Sequence, residues 1–319
     1  MIRKLCAIAA LAMIPLYAGA ADWPERPVRM IVPWAPGGQT DAVARLLAQR
    51  FGQDFGQPFI VENRPGAGGM IGSNSVMQSE ADGYTLLFTS ASISVNSTLM
   101  ADKFKLNPVK DLTPVIWAAS EPLILTVPAE LPVQSVAELV ALSHRNDKGL
   151  SGGYNGSGTT SQVALEMLKQ QAGANIVTIP YKGGGPSTVA LMAGDIDLCF
   201  ATLATVKPMI ETGKLRALAT STPKAPRVLP DLPTLGATYP EFEADNWFGL
   251  FGPAGLPAPI VQALNRSAVG VLRAPETLDR ITKAGGEVVA SSPEQFSRHL
   301  EKEMKRYEKV IHASQMRPE

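Results

Sequence analysis

Cysteine is nearly absent from this 319-residue chain: only Cys6 and Cys199 occur. Two such residues build neither a disulfide framework nor a cysteine-rich zinc site. Cys6 belongs to an apolar run at the N-terminus. Cys199 lies in another, at residues 196–200, and reads as a small buried hydrophobe. Histidine is scarce as well, with His144, His299 and His312 its three occurrences. His144 ends a helix-like segment, and the other two fall in the charged terminal segment. A Ser-His-Asp triad therefore has no base beside a candidate serine, and no G-x-S-x-G elbow is present. The Walker pattern is missing too, because Gly213-Lys214 lacks its upstream glycine. Gly156-Ser157-Gly158 starts like a dinucleotide fingerprint, but Ser161 stands at the third glycine position and no acid follows at a clear strand end about 20 residues on. Nor is there an excess of either charge: 29 Lys and Arg balance 29 Asp and Glu. That balance provides no basic surface for nucleic acid or a membrane.

Long apolar runs are limited to one. Residues 5–17 follow Met1-Ile2-Arg3-Lys4 and precede Ala18-Gly19-Ala20. This is a basic n-region, an h-region and an A-x-A cleavage signal. Its thirteen residues fall short of the roughly 20 needed to span a bilayer. Residues 1–20 are thus expected to be an export signal, with no lipid anchor because no cysteine follows it. Cleavage removes Arg3 and Lys4 and no acid, so 29 − 2 = 27 cations face 29 anions and the formal charge becomes −2. An export signal without disulfides points to a bacterial periplasm. About 300 remaining residues correspond to two domains or one large one, and 45% hydrophobic residues suffice for a sizeable core.

What the chain does have is glycine turns between strand-like and helix-like runs. The clearest are Pro36-Gly37-Gly38, Gly156-Ser157-Gly158 and Lys182-Gly183-Gly184-Gly185-Pro186. A turn of this kind leaves the first backbone N–H groups of the next helix unpaired, and with the helix dipole they favour an anion. Strands are expected at residues 28–33, 59–62, 84–89, 150–154, 176–180, 195–200 and 215–219. Between them lie helices opened by Thr40, with Asp41 in the first turn, by a capping box at Ser135-Val136-Ala137-Glu138, and by Thr160 and Pro186. A second capping box, Ser292-Pro293-Glu294-Gln295, opens a charged closing helix. The alternation implies mostly parallel sheets flanked by helices, with ligands beyond the carboxyl ends of the strands. Residues 112–120 and 123–127 carry no helical pattern and read as a crossing between two lobes, with 244–251 as the return. The expected division is a first lobe of residues 21–122 plus 245–319 and a second of 123–244, with a cleft between.

Gly37, Gly38, Gly156, Gly158, Gly183 and Gly184 let backbone approach a ligand with no Cβ in the way. Ser90, Ser92, Ser157, Thr159, Thr160 and Ser161 add hydroxyls that can donate to a carboxylate. Each loop also has a plain reading as a turn and helix cap. Trp34 is either a flat wall beside the first loop or a core tryptophan. Tyr181 can place its ring or hydroxyl in the cleft, and Lys182 is either a charge in the site or a solvated surface lysine. Asp195 and Asp197 alternate on one strand, a weak basis for a metal. No cofactor and no catalytic step are expected. The rival readings are a periplasmic sensor and a secreted hydrolase using Ser157 or Ser161.

Five runs together resemble the solute receptors of the tripartite tricarboxylate transporters, the TctC or Bug family. They are Val32-Pro33-Trp34-Ala35-Pro36-Gly37-Gly38-Gln39-Thr40-Asp41, Glu62-Asn63-Arg64-Pro65-Gly66-Ala67-Gly68-Gly69, Asp82-Gly83-Tyr84-Thr85-Leu86-Leu87, Pro180-Tyr181-Lys182-Gly183-Gly184-Gly185-Pro186 and Asn246-Trp247-Phe248-Gly249-Leu250. The resemblance implies an α/β, two-lobed periplasmic binding protein of the type II, Venus-flytrap kind. It would be a monomer that closes on a small carboxylate solute and passes it to membrane transporter subunits or a sensor partner. It also implies that N–H groups, hydroxyls and ordered waters of the loops matching residues 36–41 and 156–161 hold the carboxylate. The loop matching 181–186 belongs to the other-lobe wall, and Asp41 shapes its loop. Gln162 stands where many relatives carry histidine, and Ala201-Thr202 where many carry an acid or amide. An amino-acid ligand needs a carboxylate near its ammonium, and that acid is missing there. A di- or tricarboxylate or an aromatic acid is the expected ligand.

Overall fold

The computed structural model describes residues 23–283 and 285–318. The expected export signal, residues 1–20, lies outside them. Among the described residues no helix is long and apolar enough to cross a membrane.

Among the described residues ten strands join in one hydrogen-bonded sheet. They are β1 (Val28–Val32), β2 (Phe59–Asn63), β3 (Thr85–Ser90), β4 (Leu112–Pro128), β5 (Leu150–Tyr154), β6 (Ile176–Pro180), β7 (Leu198–Thr202), β8 (Leu215–Thr220), β9 (Asp245–Pro253) and β10 (Glu287–Val288). The order is β2-β1-β3-β9-β4-β7-β5-β6, with β8 and β10 also paired to β4. Parallel pairing, predicted from the strand–helix alternation, holds in the two outer groups: β1 with β2 and β3, and β5 with β6 and β7. The seam is antiparallel, with β9 against β3 and β4, and β4 against β7 and β8. The sheet is therefore mixed. Parallel neighbours need a crossover helix between them, whereas β4 and β9 simply traverse the molecule.

The two apolar runs read as a crossing are one strand. β4 is 17 residues long, about 55 Å of extended chain. From Leu112 to Pro122 it pairs with β9; from Leu123 onward it pairs with β7 and β8. Pro122 sits at the handover, where its missing N–H leaves a gap in the ladder. Most of β4 is buried, which accounts for its nearly unbroken apolar sequence.

Two apolar layers flank the first group of strands. One packs Val43, Leu47 and Phe51 of the helix Gln39–Phe55 with Leu264 and Ala268 of Ala258–Leu272. The other contains Met70, Ile93, Phe296 and Leu300. The second group likewise has Val163, Met167 and Leu168 on one side and Leu191, Leu203 and Val206 on the other. Cys199 is fully buried in the latter layer, and burial raises its thiol pKa to about 12.

The terminal helix Pro293–Ala313 ties both groups together. Phe296 and Leu300 enter the first core, and Tyr307, Val310 and Ile311 the second. With the buried Glu303, residues 296, 300, 303, 307 and 310 recur every three or four positions and keep one face inward, while most other charges face solvent. Its capping box forms as expected, with Ser292 Oγ accepting from Gln295 N and Gln295 Oε1 accepting from Ser292 N.

Three local expectations are corrected. The helix after the first glycine turn starts at Gln39 on Gly38, without a side-chain cap. Thr40 lies inside its first turn, buried, because the glycine already provides the extended cap backbone. At Ser135 the box is not reciprocal: Ser135 Oγ accepts from Glu138 N, but Glu138 Oε2 accepts from Gln134 N, one residue early. The strand expected at 195–200 runs over Leu198–Thr202. Asp197 is instead occupied by Ser151, whose N–H and hydroxyl both donate to Oδ2 at 2.7 Å.

Candidate functional site

The first glycine loop leaves the carboxyl end of β1 and is exposed from Ala35 through Gly38. Gly37 has φ +91°, a conformation open to glycine and strained for other residues. A Cβ at Gly37 or Gly38 would meet nothing within 4 Å, so the space before the loop is open. Asp41 organises the loop from beneath. Its Oδ2 accepts from Gly37 N at 3.0 Å and Arg45 Nε at 2.9 Å. Its Oδ1 accepts from Asn63 Nδ2 at 2.9 Å, and Asn63 also donates to Trp34 O. Arg45 most of all, with the Gly37 and Asn63 donors, holds the Asp41 pKa down to about 2 despite burial. Its carboxylate is thus occupied within the loop. Helix geometry leaves the next amides of the first turn, through Thr40, without intrahelical partners, and none is bonded to another described group.

The corresponding loop of the second group follows β5. Gly156 and Gly158 have φ +118° and +72°. Gln162 Oε1 accepts from Gly158 N at 2.9 Å, the same i, i+4 closure that Asp41 gives Gly37. One amide expected to be free in each loop is therefore taken by the chain's own side chain. Ser161 Oγ accepts from Asn155 N at 2.9 Å and lies 3.0 Å from Thr159 Oγ1, which bonds Gly156 O at 2.7 Å. Ser157 Oγ donates to Arg317 O at 3.3 Å. No histidine among the described residues contacts Ser157 or Ser161.

Two asparagines link the loops, and both escaped the sequence reading. Asn96, on the helix Ser92–Leu99, donates from Nδ2 to Gly68 O, Ser92 O and Gly158 O, each at 3.1 Å. It thereby joins the second loop to the turn after β2. Asn155 Oδ1 accepts from Ser187 Oγ at 2.7 Å, and Gly184 faces the same amide, which brings the third turn alongside. There Gly183 has φ +110°, the Tyr181 ring covers Gly153, and Lys182 is exposed. Ser90 and Ser92 are buried beneath. Trp34, half-buried, packs over Gly69. Among the described residues no hydrogen bond joins Trp34 or residues 36–38 to the second loop. Asn155 was detectable, since it directly precedes the glycine pair; Asn96 lies in a serine-rich helix with no such marker. At the other flagged positions, Ala201 is core and Thr202 bonds Thr205.

The crossing strand adds a residue at the seam. Glu121 is the single charge among the 17 residues of β4 and is buried. Asn246 Nδ2 donates to Oε2 at 3.1 Å, while Oε1 has no hydrogen-bond partner. Burial raises its pKa to about 7, against the opposing pull of the Asn246 and Gln39 amides. Gln39 is the first residue of the helix that follows the first glycine loop.

A second buried group joins β4, β9 and the terminal helix. Trp247 Nε1 lies 2.9 Å from both Glu303 oxygens, and Ser94 Oγ donates to Oε2 at 2.7 Å. Ser120 Oγ donates to Asp245 Oδ2. Burial raises the pKa of both acids; the Asp245 charge further raises that of Glu303, and the Glu243 charge that of Asp245. His299 stacks on Trp117 at 3.8 Å between ring centroids. One ligand atom each from Asp245, His299 and Glu303 falls within 4.8 Å of the others. Glu303 is already fully bonded and the Arg306 guanidinium acts on all three, so the chemistry favours a polar tie over a cation site.

Two surface pockets lie elsewhere. One of about 560 Å³ is bordered by Arg216 and Pro233, but the Arg216 guanidinium already bonds the carbonyls of Ala129, Leu131 and Val133. The other, about 270 Å³, is lined by Glu243, Gln295, Arg298, His299, Lys302 and Arg306. The concentration of glycine turns and helix starts, and not pocket size, identifies the candidate site.

Comparison with known proteins bears on this geometry. The family described as "Tripartite tricarboxylate transporter family receptor" matches residues 43–316. The chain is 34% identical over 305 residues to Protein BugT of Bordetella pertussis, covering 95% of this chain and 93% of that protein. Among solved structures, R. palustris Rpa4515 with adipate is 35% identical with TM-score 0.78, covering 93% of this chain and 100% of the other. MatC of Rhodopseudomonas palustris with bound malate is 29% identical with TM-score 0.75, covering 91% and 100%.

Proposed function

The chain belongs to the tripartite tricarboxylate transporter receptor family, and on that premise we propose that it is a periplasmic receptor that captures a small carboxylated solute between its lobes. The solute's carboxylate rests on the amides that open the helices Gln39–Phe55 and Thr160–Ala172. Trp34, Pro36, Gly37, Gly38 and Thr40 border it from one lobe. Gly156, Ser157, Thr159, Ser161, Tyr181, Gly183 and Gly184 border it from the other. The observation that carries this reading is that both lobes present a glycine-shaped helix start lacking a side-chain cap, a built anion seat.

Closure is a hinge motion of residues 21–122 plus 245–319 against 123–244. The pivot on β4 is the handover at Pro122. The closed receptor delivers its solute to the membrane subunits of a tripartite transporter, and no reaction is catalysed. Family relatives solved with adipate and malate support a carboxylate as the cargo.

A thermal-shift screen of small carboxylates tests this. A ligand at about 100 times its dissociation constant adds roughly 2.7 kcal/mol, a rise of a few degrees at this chain length. Methyl esters and amides of the same acids should give no shift; equal shifts from them would remove the anion seat. Gly38 has an extended backbone with open space at its Cβ. Gly38→Val should therefore leave the melting midpoint in place while weakening solute binding at least tenfold, about 1.4 kcal/mol.

A further inference from the structure

We propose that Glu121 is a specificity-determining residue of the cleft, whose Oε1 accepts a hydrogen bond from an ammonium or hydroxyl group that the solute carries next to its carboxylate. This inference rests on the receptor reading above and adds the substrate class.

Three observations meet at this side chain. First, Glu121 is 4% exposed, and a carboxyl oxygen so deeply buried is normally hydrogen-bonded. Its Oε1 has no partner. Glu303 provides the internal comparison: equally buried and acidic, it has both oxygens engaged by Trp247 and Ser94. A buried carboxylate in this fold can thus pair both oxygens, although Asp245 Oδ1 shares the unpartnered state of Glu121 Oε1. Second, no lysine, arginine or histidine among the described residues forms an ion pair with Glu121; its neighbours are the neutral amides of Asn246 and Gln39. The site therefore holds no cationic partner, and the Gln39 amide acts on the carboxyl without forming a hydrogen bond to Oε1. Third, the placement is specific. Gln39 begins the helix whose unpaired amides form the first anion seat, and its side chain lies against Glu121. Glu121 is also one residue before the strand passes from β9 to β7, at the base of the proposed hinge.

A carboxylate on the amides of the first turn thus has an acceptor beside it across Gln39. A 2-amino or 2-hydroxy acid satisfies both groups at once. A solute without a donor there leaves Oε1 unpaired in the closed state, and a second carboxylate in that place meets like charge. The acid expected after β7 and absent at Ala201-Thr202 is provided by the crossing strand instead.

The test uses calorimetric titration of the purified receptor with two matched series: succinate, malate and aspartate, and adipate, 2-hydroxyadipate and 2-aminoadipate. Within at least one series the donor-bearing acid should bind about 10- to 100-fold more tightly than its parent. A preference for the amino over the hydroxy acid identifies an ammonium. Glu121→Gln should erase the ammonium preference, and Glu121→Ala should remove discrimination by either donor; both should still bind the parent acid. That retained binding separates lost selectivity from lost folding. Equal binding within both series, or preferences unchanged in the two variants, overturns the proposal and leaves the receptor reading intact. Binding only of donor-free acids from the wider screen does the same. Failure of every carboxylate to bind overturns the receptor reading as well.

Discussion

The two anion loops solve the same geometric problem with different chemistry. Each places glycine before a helix, and each closes an i, i+4 bond onto a glycine N–H. The first uses an ionised carboxylate, Asp41, backed by Arg45 and Asn63. The second uses the neutral amide of Gln162 and a hydroxyl pair, Thr159 and Ser161. The first stands in open space. The second is pressed against Asn96 of the neighbouring helix, so that a Cβ on Gly158 would lie 1.9 Å from Asn96 Oδ1. One loop is thus shaped by charge and free to meet solvent, and the other by packing and held in place.

The largest contrast should appear at these glycines. Gly158→Ala imposes both the clash with Asn96 and a left-handed backbone on alanine, and should cost about 2–4 kcal/mol in chemical denaturation. Gly37→Ala carries the backbone strain alone and should cost about 1 kcal/mol. Equal losses would mean that the second loop is as free as the first.

Removing the closures should cost less. Gln162→Ala leaves the buried Gly158 amide unpaired, about 1–2 kcal/mol, with no dependence on pH. The first loop behaves differently. The folded pKa of Asp41 lies below its ordinary value of 3.8. Its contribution is therefore complete above that value and lost as pH falls from 3.8 toward about 2. Gly37 should lose its protection relative to intrinsic amide exchange across this window in the wild type, while Gly158 keeps its own. Parallel loss of protection at both glycines would erase the distinction between charge and packing.

The smallest effect belongs to Ser157→Ala. Its hydroxyl makes one long bond to Arg317 O at the surface, so stability should change by less than about 0.5 kcal/mol. A solute affinity reduced severalfold with stability unchanged would instead assign that hydroxyl to the cleft.

The positions of the loops were legible from the chain because glycine, proline and helix-cap residues act locally, between strands visible by their apolar runs. Gly37, Gly156 and Gly183 all proved to need positive φ. The occupants of the loop amides were not legible. Gln162 stood out only as a departure from a family pattern, yet it reaches back four residues to Gly158. Asn96 joins segments 62 residues apart, a separation that no local pattern encodes. Thr40 was misread as a cap because Gly38, two residues earlier, already had the required backbone.

Glu121 lies between these cases. A lone acid in 17 otherwise uncharged residues is visible in the sequence, but its meaning depends on which atoms surround it. Local backbone preference and apolar periodicity are properties of neighbouring residues, so the chain alone determined its alternating strands and helices, its glycine turns and the two apolar runs of the crossing. Hydrogen-bond satisfaction is a property of a three-dimensional environment. Only the tertiary structure therefore decided that the seam is antiparallel, that each loop occupies one of its own amides, and that one buried oxygen of Glu121 is left without a donor.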